Sequence, residues 1–148
     1  MTSAGVIVTP LFPNVRPTGK RNQYITQEDV TAEWVANGVR RRLTVLAGYH
    51  TDLASVPAPF SLLIPHDGLY RAAVIFHDAI YQAKGDLSKP WMRYEERRAE
   101  GWVVVTDARA TREEADRFML KVSKAGGTPG WERALMYKAV RWFAPTRW

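Results

Sequence analysis

The dipeptide Asn37-Gly38 constrains this chain's fold more than any other local feature. Between strand-forming residues it favours a two-residue type I′ turn, whose two central residues both need positive φ. That turn sets Trp34 opposite Arg41 and Glu33 opposite Arg42, so a cation–π contact and an opposite-charge pair both support the register. The second strand, Val39 to about Tyr49, then delivers His50 and Asp52 at its end, on one face if the extended conformation persists. Upstream, residues from about Gly5 to Pro17 read as a short edge strand, because Pro10 and Pro13 remove ladder donors.

Further along, the hydrophobic period lengthens. Ser55-Val56-Pro57-Ala58-Pro59 reads as a turn or short capped helix, and Pro65-His66-Asp67-Gly68 punctuates the chain before a helix from about Leu69 to Lys84. On that helix His77 centres a face shared with Tyr70, Ala73, Val74, Ile80 and Tyr81, so it points inward. Asp78 lies about 100° round the helix, with Tyr81 between the two in angle. From Gly85 to Ala110, Trp91–Arg98 and Gly101–Thr106 suggest a second hairpin, with a helical alternative for the first arm. This stretch reads as an insertion or flap. Thr111-Arg112-Glu113-Glu114 is a capping box opening a helix to about Ala125, which Gly126-Gly127 ends. Asp116 falls between Met119 and Leu120 in angle and therefore faces the core. A last helix, about Gly130 to Phe143, has an apolar side (Leu135, Met136, Ala139, Phe143) and a cationic one (Arg133, Tyr137, Lys138, Arg141). The expected architecture is a single α+β domain over residues 1–148. An N-terminal antiparallel sheet is followed by about three helices, with an extra β-hairpin or flap between them.

Ionisable groups inside such apolar sequence are costly to bury without partners. Asp52, His77, Asp78 and Asp116 are the candidates for a converging site. Cysteine is absent, which excludes disulfides, zinc ribbons and thiol catalysis. One imidazole with several carboxylates suits calcium, magnesium or manganese, and zinc remains open. The candidate metal ligands are Asp52, Asp78 and His77. Without a metal, His77 acts as general base with Asp116 orienting it and Tyr81 within reach. Ser55 as nucleophile is a third route, although Ser-Val-Pro is more simply a turn or N-cap. The structural alternative has Asp52 capping its own turn, His77 bonded to it, and Asp116 or Asp78 paired with Arg71 or Arg112. His50, and less so His66, are further candidate ligands.

The net charge of +6 favours an anionic contact such as nucleic acid, lipid headgroups, an acidic protein or a cell-wall polymer. No nucleic-acid motif stands out. The N-terminus lacks the pattern of a signal peptide, and no apolar run is long enough to span a bilayer. Trp91, Trp102, Trp131, Trp142 and Trp148 lie among basic residues in the second half, a mixture that serves either a core or a binding surface.

Three ordered motifs carry a resemblance: Gly48 to Pro57 with its Thr51-Asp52-Leu53-Ala54-Ser55-Val56-Pro57, Ala72-Ala73 through His77-Asp78 to Tyr81, and Ala115-Asp116 with Phe118. Over roughly residues 39 to 143 the chain resembles a bacteriophage and prophage family known as domain of unknown function 1353. Residues 85–110 look longer than the family usually carries, and Phe118 stands two residues after Asp116. The resemblance implies a phage or prophage source, often near lysis or tail genes, and supplies no activity. His77-Asp78-x-x-Tyr81 with a later helical aspartate is also similar to the site of calcium-dependent secreted phospholipases. There the histidine activates water, the adjacent aspartate binds calcium, and the distant aspartate and tyrosine orient the histidine. This chain lacks their cysteines and Gly-rich calcium loop. The leading expectation is a phage-encoded hydrolase acting on cell-envelope material, in the host cytoplasm or the virion. The alternative is a non-catalytic virion component, a tail or tail-tip subunit, whose polar cluster only locks the fold. Expected partners are other phage proteins, host envelope components or further copies of the chain.

Overall fold

The computed structural model describes residues 5–20, 23–51, 71–127 and 130–143. Its centre is the hairpin of β4 (Val30–Ala36) and β5 (Val39–Val45). Asn37 and Gly38 take φ values of 53° and 75°, as a type I′ turn requires, and Trp34 lies opposite Arg41 and Glu33 opposite Arg42. The register is the expected one, but the side-chain partners differ. Glu33 pairs with Arg40, and Arg42 stacks 4.1 Å from the Trp102 ring centroid. Arg41 turns to Tyr94 and Glu96. The reason is a third strand on the far side of β5, β7 (Met92–Arg98), which sets Glu96 opposite Arg41 and Glu95 opposite Arg42.

β7 continues into β8 (Gly101–Val104), so the second expected hairpin is present. It is no flap, because β7 is hydrogen-bonded between β5 and β8, with Met92, Tyr94 and Glu95 buried. With β1 (Ile7–Thr9) on the other edge, the large antiparallel sheet runs β1-β4-β5-β7-β8. The edge position of β1 accords with the nearby prolines. A smaller sheet joins β2 (Val15–Pro17), β3 (Tyr24–Thr26) and β6 (His50–Thr51). β5 therefore stops at Val45, and a turn with Gly48 at φ 90° sends His50 into the other sheet.

Three helices follow: α1 (Arg71–Gln82), α2 (Arg112–Ala125) and α3 (Gly130–Phe143). The α+β class is as expected. Val30, Ala32, Leu43 and Val45 of the sheet are buried in one core with Ile75, Phe76, Met119 and Val122 of the helices. Phe76 meets Phe118 edge-on at 5.6 Å, and Phe118 lies 5.0 Å from Trp34, which links α1, α2 and the sheet. Among the described residues, no helix is long and apolar enough to cross a membrane.

Candidate functional site

Backbone geometry at the end of α1 sets the site. The Gly85 N–H donates to the Ile80 carbonyl at 3.0 Å, closing the helix as Gly85 takes φ 84°. The Gly85 carbonyl then accepts from the Ala110 N–H at 2.8 Å, and the Leu87 N–H donates to Ala108 O. This clamp fixes the start of α2 beside the end of α1. Thr111 caps α2 in a full capping box: its side chain accepts from the Glu114 N–H, and the Glu114 carboxylate accepts from the Thr111 N–H. At the next residue, the first of the helix, Arg112 Nε donates to the Tyr81 hydroxyl at 2.6 Å. One further turn brings Asp116 to His77.

The Asp116 Oδ1 lies 2.6 Å from His77 Nε2, and its Oδ2 accepts from Arg141 Nη1 at 2.9 Å. Arg112 Nη2 closes the circuit by donating to the Arg141 carbonyl at 2.9 Å. The Tyr81 ring packs on the His77 imidazole with centroids 4.3 Å apart. Side chains from α1, α2 and α3 thus meet at one carboxylate with 0% exposure, while His77 retains 9%.

Burial alone would disfavour an ionised Asp116. The hydrogen bonds and charges of His77 and Arg141 outweigh it and hold the carboxyl below the ordinary aspartate value. An ionised Asp116 can only accept, so His77 Nε2 carries a proton, and Nδ1 is the ring nitrogen left to exchange one. Arg141 is raised by its bond to Asp116. Tyr81 is raised mainly by burial; the Arg112 hydrogen bond pulls the other way, and the Asp116 charge adds to the rise. The tyrosine stays a neutral phenol.

Of the expected site residues, His77, Asp116 and Tyr81 come together. Asp78 points elsewhere. It accepts from the Tyr49 hydroxyl at 3.1 Å and from Gln82 Nε2 at 3.3 Å. Asp52, Ser55 and His66 lie outside the described residues. Among the described residues, no group of three His, Asp or Glu side chains could hold a metal ion. Of the Asp52, Asp78 and His77 set, only the last two can be placed, and they are bonded to different partners, His77 to Asp116 and Asp78 to Tyr49 and Gln82. His50 is exposed on β6.

Arg141 is the partner that helix periodicity leaves out. The sequence puts it on the cationic side of α3 with no partner named, and its guanidinium, 34% exposed, reaches Asp116. The signal was the carboxylate: a core aspartate needs a cation, and long side chains reach across a helix flank. Arg71 and Arg112 were the expected partners, but Arg112 serves Tyr81 and Arg71 donates to the Pro13 carbonyl at 3.1 Å.

No curated protein and no solved structure matches the chain. A family model described as "Protein of unknown function (DUF1353)" matches residues 28–140, from just before β4 to within α3. That span takes in the central hairpin, the β7–β8 strands and every member of the His77–Asp116 pair, and we conclude that the chain belongs to the DUF1353 family.

Proposed function

We propose that the chain is a hydrolase in which His77 is the general base and Asp116 holds it in orientation. The observation that carries this reading is the 2.6 Å contact between His77 Nε2 and a fully buried Asp116 that is itself anchored by Arg141. A buried carboxylate fixes the tautomer and stabilises the imidazolium that forms when Nδ1 takes a proton from water. The hydroxide so formed attacks the substrate, and the proton passes from Nδ1 to the leaving group. Tyr81 and Arg112 are positioning residues that fix the plane of the imidazole. Arg141 supplies a positive charge at the carboxylate, so this arrangement needs no metal to balance it. The net charge of +6 suits an anionic substrate, and cell-envelope polymers and lipids of a phage host are of that kind.

The test is turnover of purified cell-wall sacculi and of anionic phospholipid vesicles, with and without a chelator. His77→Gln should lower the rate by roughly 100-fold or more while the fold survives. Activity should persist in the chelator. Wild-type turnover by His77→Gln would sink the general-base role.

A second reading is a virion component in which the same cluster only ties three helices together. Ile7, Leu11 and Phe12 favour it, being exposed at and beside the edge strand β1, where a further chain could add. Absence of turnover on both substrates, with self-association that a charged substitution at Phe12 abolishes, would favour this alternative.

A further inference from the structure

Side chains along a strand alternate between the two faces of its sheet. Val30, Ala32, Leu43 and Tyr94 enter the core with the helices, so their neighbours stand on the opposite face. Backbone pairing arranges that face in rows. One row runs Ile7, Glu33, Arg42, Glu95, Val104 across all five strands. The next, nearer the Asn37-Gly38 turn, sets Val35 opposite Arg40 and Arg97 opposite Trp102. On the other side Arg93 stands opposite Thr44.

The strands thus put four arginines on this face against two acids, Glu33 and Glu95. The acids lie low and the guanidinium groups reach past them. The Glu95 side chain is 8% exposed beneath Arg42 and Arg93, and Arg40 is twice as exposed as the Glu33 it pairs with. Arg93 gives Glu95 only its Nε, and Arg97 is exposed with no side-chain partner among the described residues. Of the nearby acids, Glu100 stands in the β7–β8 turn, at the rim of the face. Glu96 and Asp107 belong to the other face, where both line a groove with Trp34 and Tyr94.

One aromatic ring stands among these cations. Arg42 lies 4.1 Å and Arg40 5.6 Å from the Trp102 ring centroid. Indole rings and guanidinium planes are the surfaces on which unpaired bases stack, and the arginine fork matches phosphate. Width separates a single strand from a duplex. Five strands ~4.8 Å apart are about 19 Å across, too broad for a major groove about 12 Å wide. The exposed apolar residues of the face, Ile7 and Val104, stand on opposite edge strands with the arginines between them. They form no continuous apolar patch to enter a lipid layer. A second copy would set like charges against each other.

We propose that this face of the sheet binds single-stranded nucleic acid without sequence preference. Arg40, Arg93 and Arg97 hold phosphates, and the stack of Arg42 on Trp102 carries a base. The His77 cluster lies among the helices, and the proposal does not rest on the hydrolase reading.

The experiment is fluorescence anisotropy of the whole chain with a labelled oligothymidylate of about 15 nucleotides, which cannot pair with itself. Unlabelled competitors are polyphosphate of similar length, a DNA duplex and phosphatidylglycerol vesicles. The oligothymidylate should bind saturably, and polyphosphate and duplex should each compete about tenfold more weakly. Arg97→Ala should weaken binding several-fold and lower the slope of log Kd against log salt by about 0.7. Trp102→Ala should weaken it about tenfold and leave that slope unchanged. Lys121→Ala, an equal loss of charge on α2, should change neither. The Arg97 variant and the wild-type competition stand even if Trp102→Ala folds poorly. Wild-type affinity in folded Arg97→Ala or Trp102→Ala, or no saturable binding at low salt, would overturn the site. Polyphosphate competing as well as the oligothymidylate would overturn the stacking of a base. Duplex competing equally well would overturn the preference for a single strand. Vesicles that compete better than the oligothymidylate would assign the face to a membrane instead.

Discussion

The molecule holds two charged clusters built on opposite plans. On the sheet, Glu95 is bonded by Arg42 and Arg93, and Glu96 by Arg41 and Arg98, each along strands that backbone pairing already fixes. Between the helices a single carboxylate, Asp116, serves donors from α1 and α3. The sheet cluster is redundant, its carboxylates largely buried and its arginines partly exposed, so losing one arm leaves others. The helical cluster has no second acceptor at its centre. A buried ion whose partner is removed remains as an uncompensated charge, which is why the two should respond differently to the same kind of change.

The largest expected effect follows directly. Asp116→Ala should cost about 3 kcal/mol in urea unfolding, since it removes two charge-assisted hydrogen bonds and leaves the buried His77 N–H without an acceptor. An equal or larger cost for Glu95→Gln would break the comparison. A pH series sharpens it. Asp116 has a folded pKa below its unfolded value, so its contribution is complete above about pH 4 and is lost as pH falls through the depressed folded pKa. Arg141→Met removes one cause of that depression, so Tm in this variant should start to fall at a higher pH than in the wild type. Coincident acid limbs would show that Arg141 does not hold the carboxylate.

Smaller effects belong to the sheet. Burial disfavours ionised Glu95, but Arg42 and Arg93 prevail and keep it below the ordinary glutamate value. Glu95→Gln should therefore cost about 1.5 kcal/mol, the scale of a charged hydrogen bond. Trp102→Ala removes the ring beneath the Arg42 guanidinium and should cost only about 0.5–1 kcal/mol. Urea unfolding of both variants at low and high salt checks these values. Screening should shrink the Glu95 effect and leave the Asp116 effect nearly unchanged.

What the sequence disclosed and what it hid divide along the range of the interactions. The Asn37-Gly38 register, the Thr111 capping box and the inward face of Asp116 were all legible, because each depends on residues within a turn or two. The partners of Arg41 and Arg42 were not. Their acids arrive on β7, about fifty positions downstream, and displace the local pairs that hairpin geometry alone suggests. The same non-local pairing turns the supposed flap into an interior strand, although Met92 and Tyr94 already alternate inward. His77, Asp116 and Tyr81 could be picked as buried polar residues on apolar faces. Arg141 could not, because the reach of a long side chain is invisible to helix angle.

The adjacency of β5 and β7 also has a kinetic consequence. Val45 lies opposite Met92, and the Leu46 N–H reaches the Trp91 carbonyl at 3.0 Å. All of α1 is therefore contained in a loop whose ends must meet before the sheet is whole. The β4–β5 and β7–β8 hairpins need only short closures and can form early, whereas joining them pays a loop entropy that local contacts do not offset. In refolding, sheet signal should thus precede the meeting of His77 with Asp116, and a nascent chain that stops short of β7 carries the imidazole without the carboxylate that gives it direction.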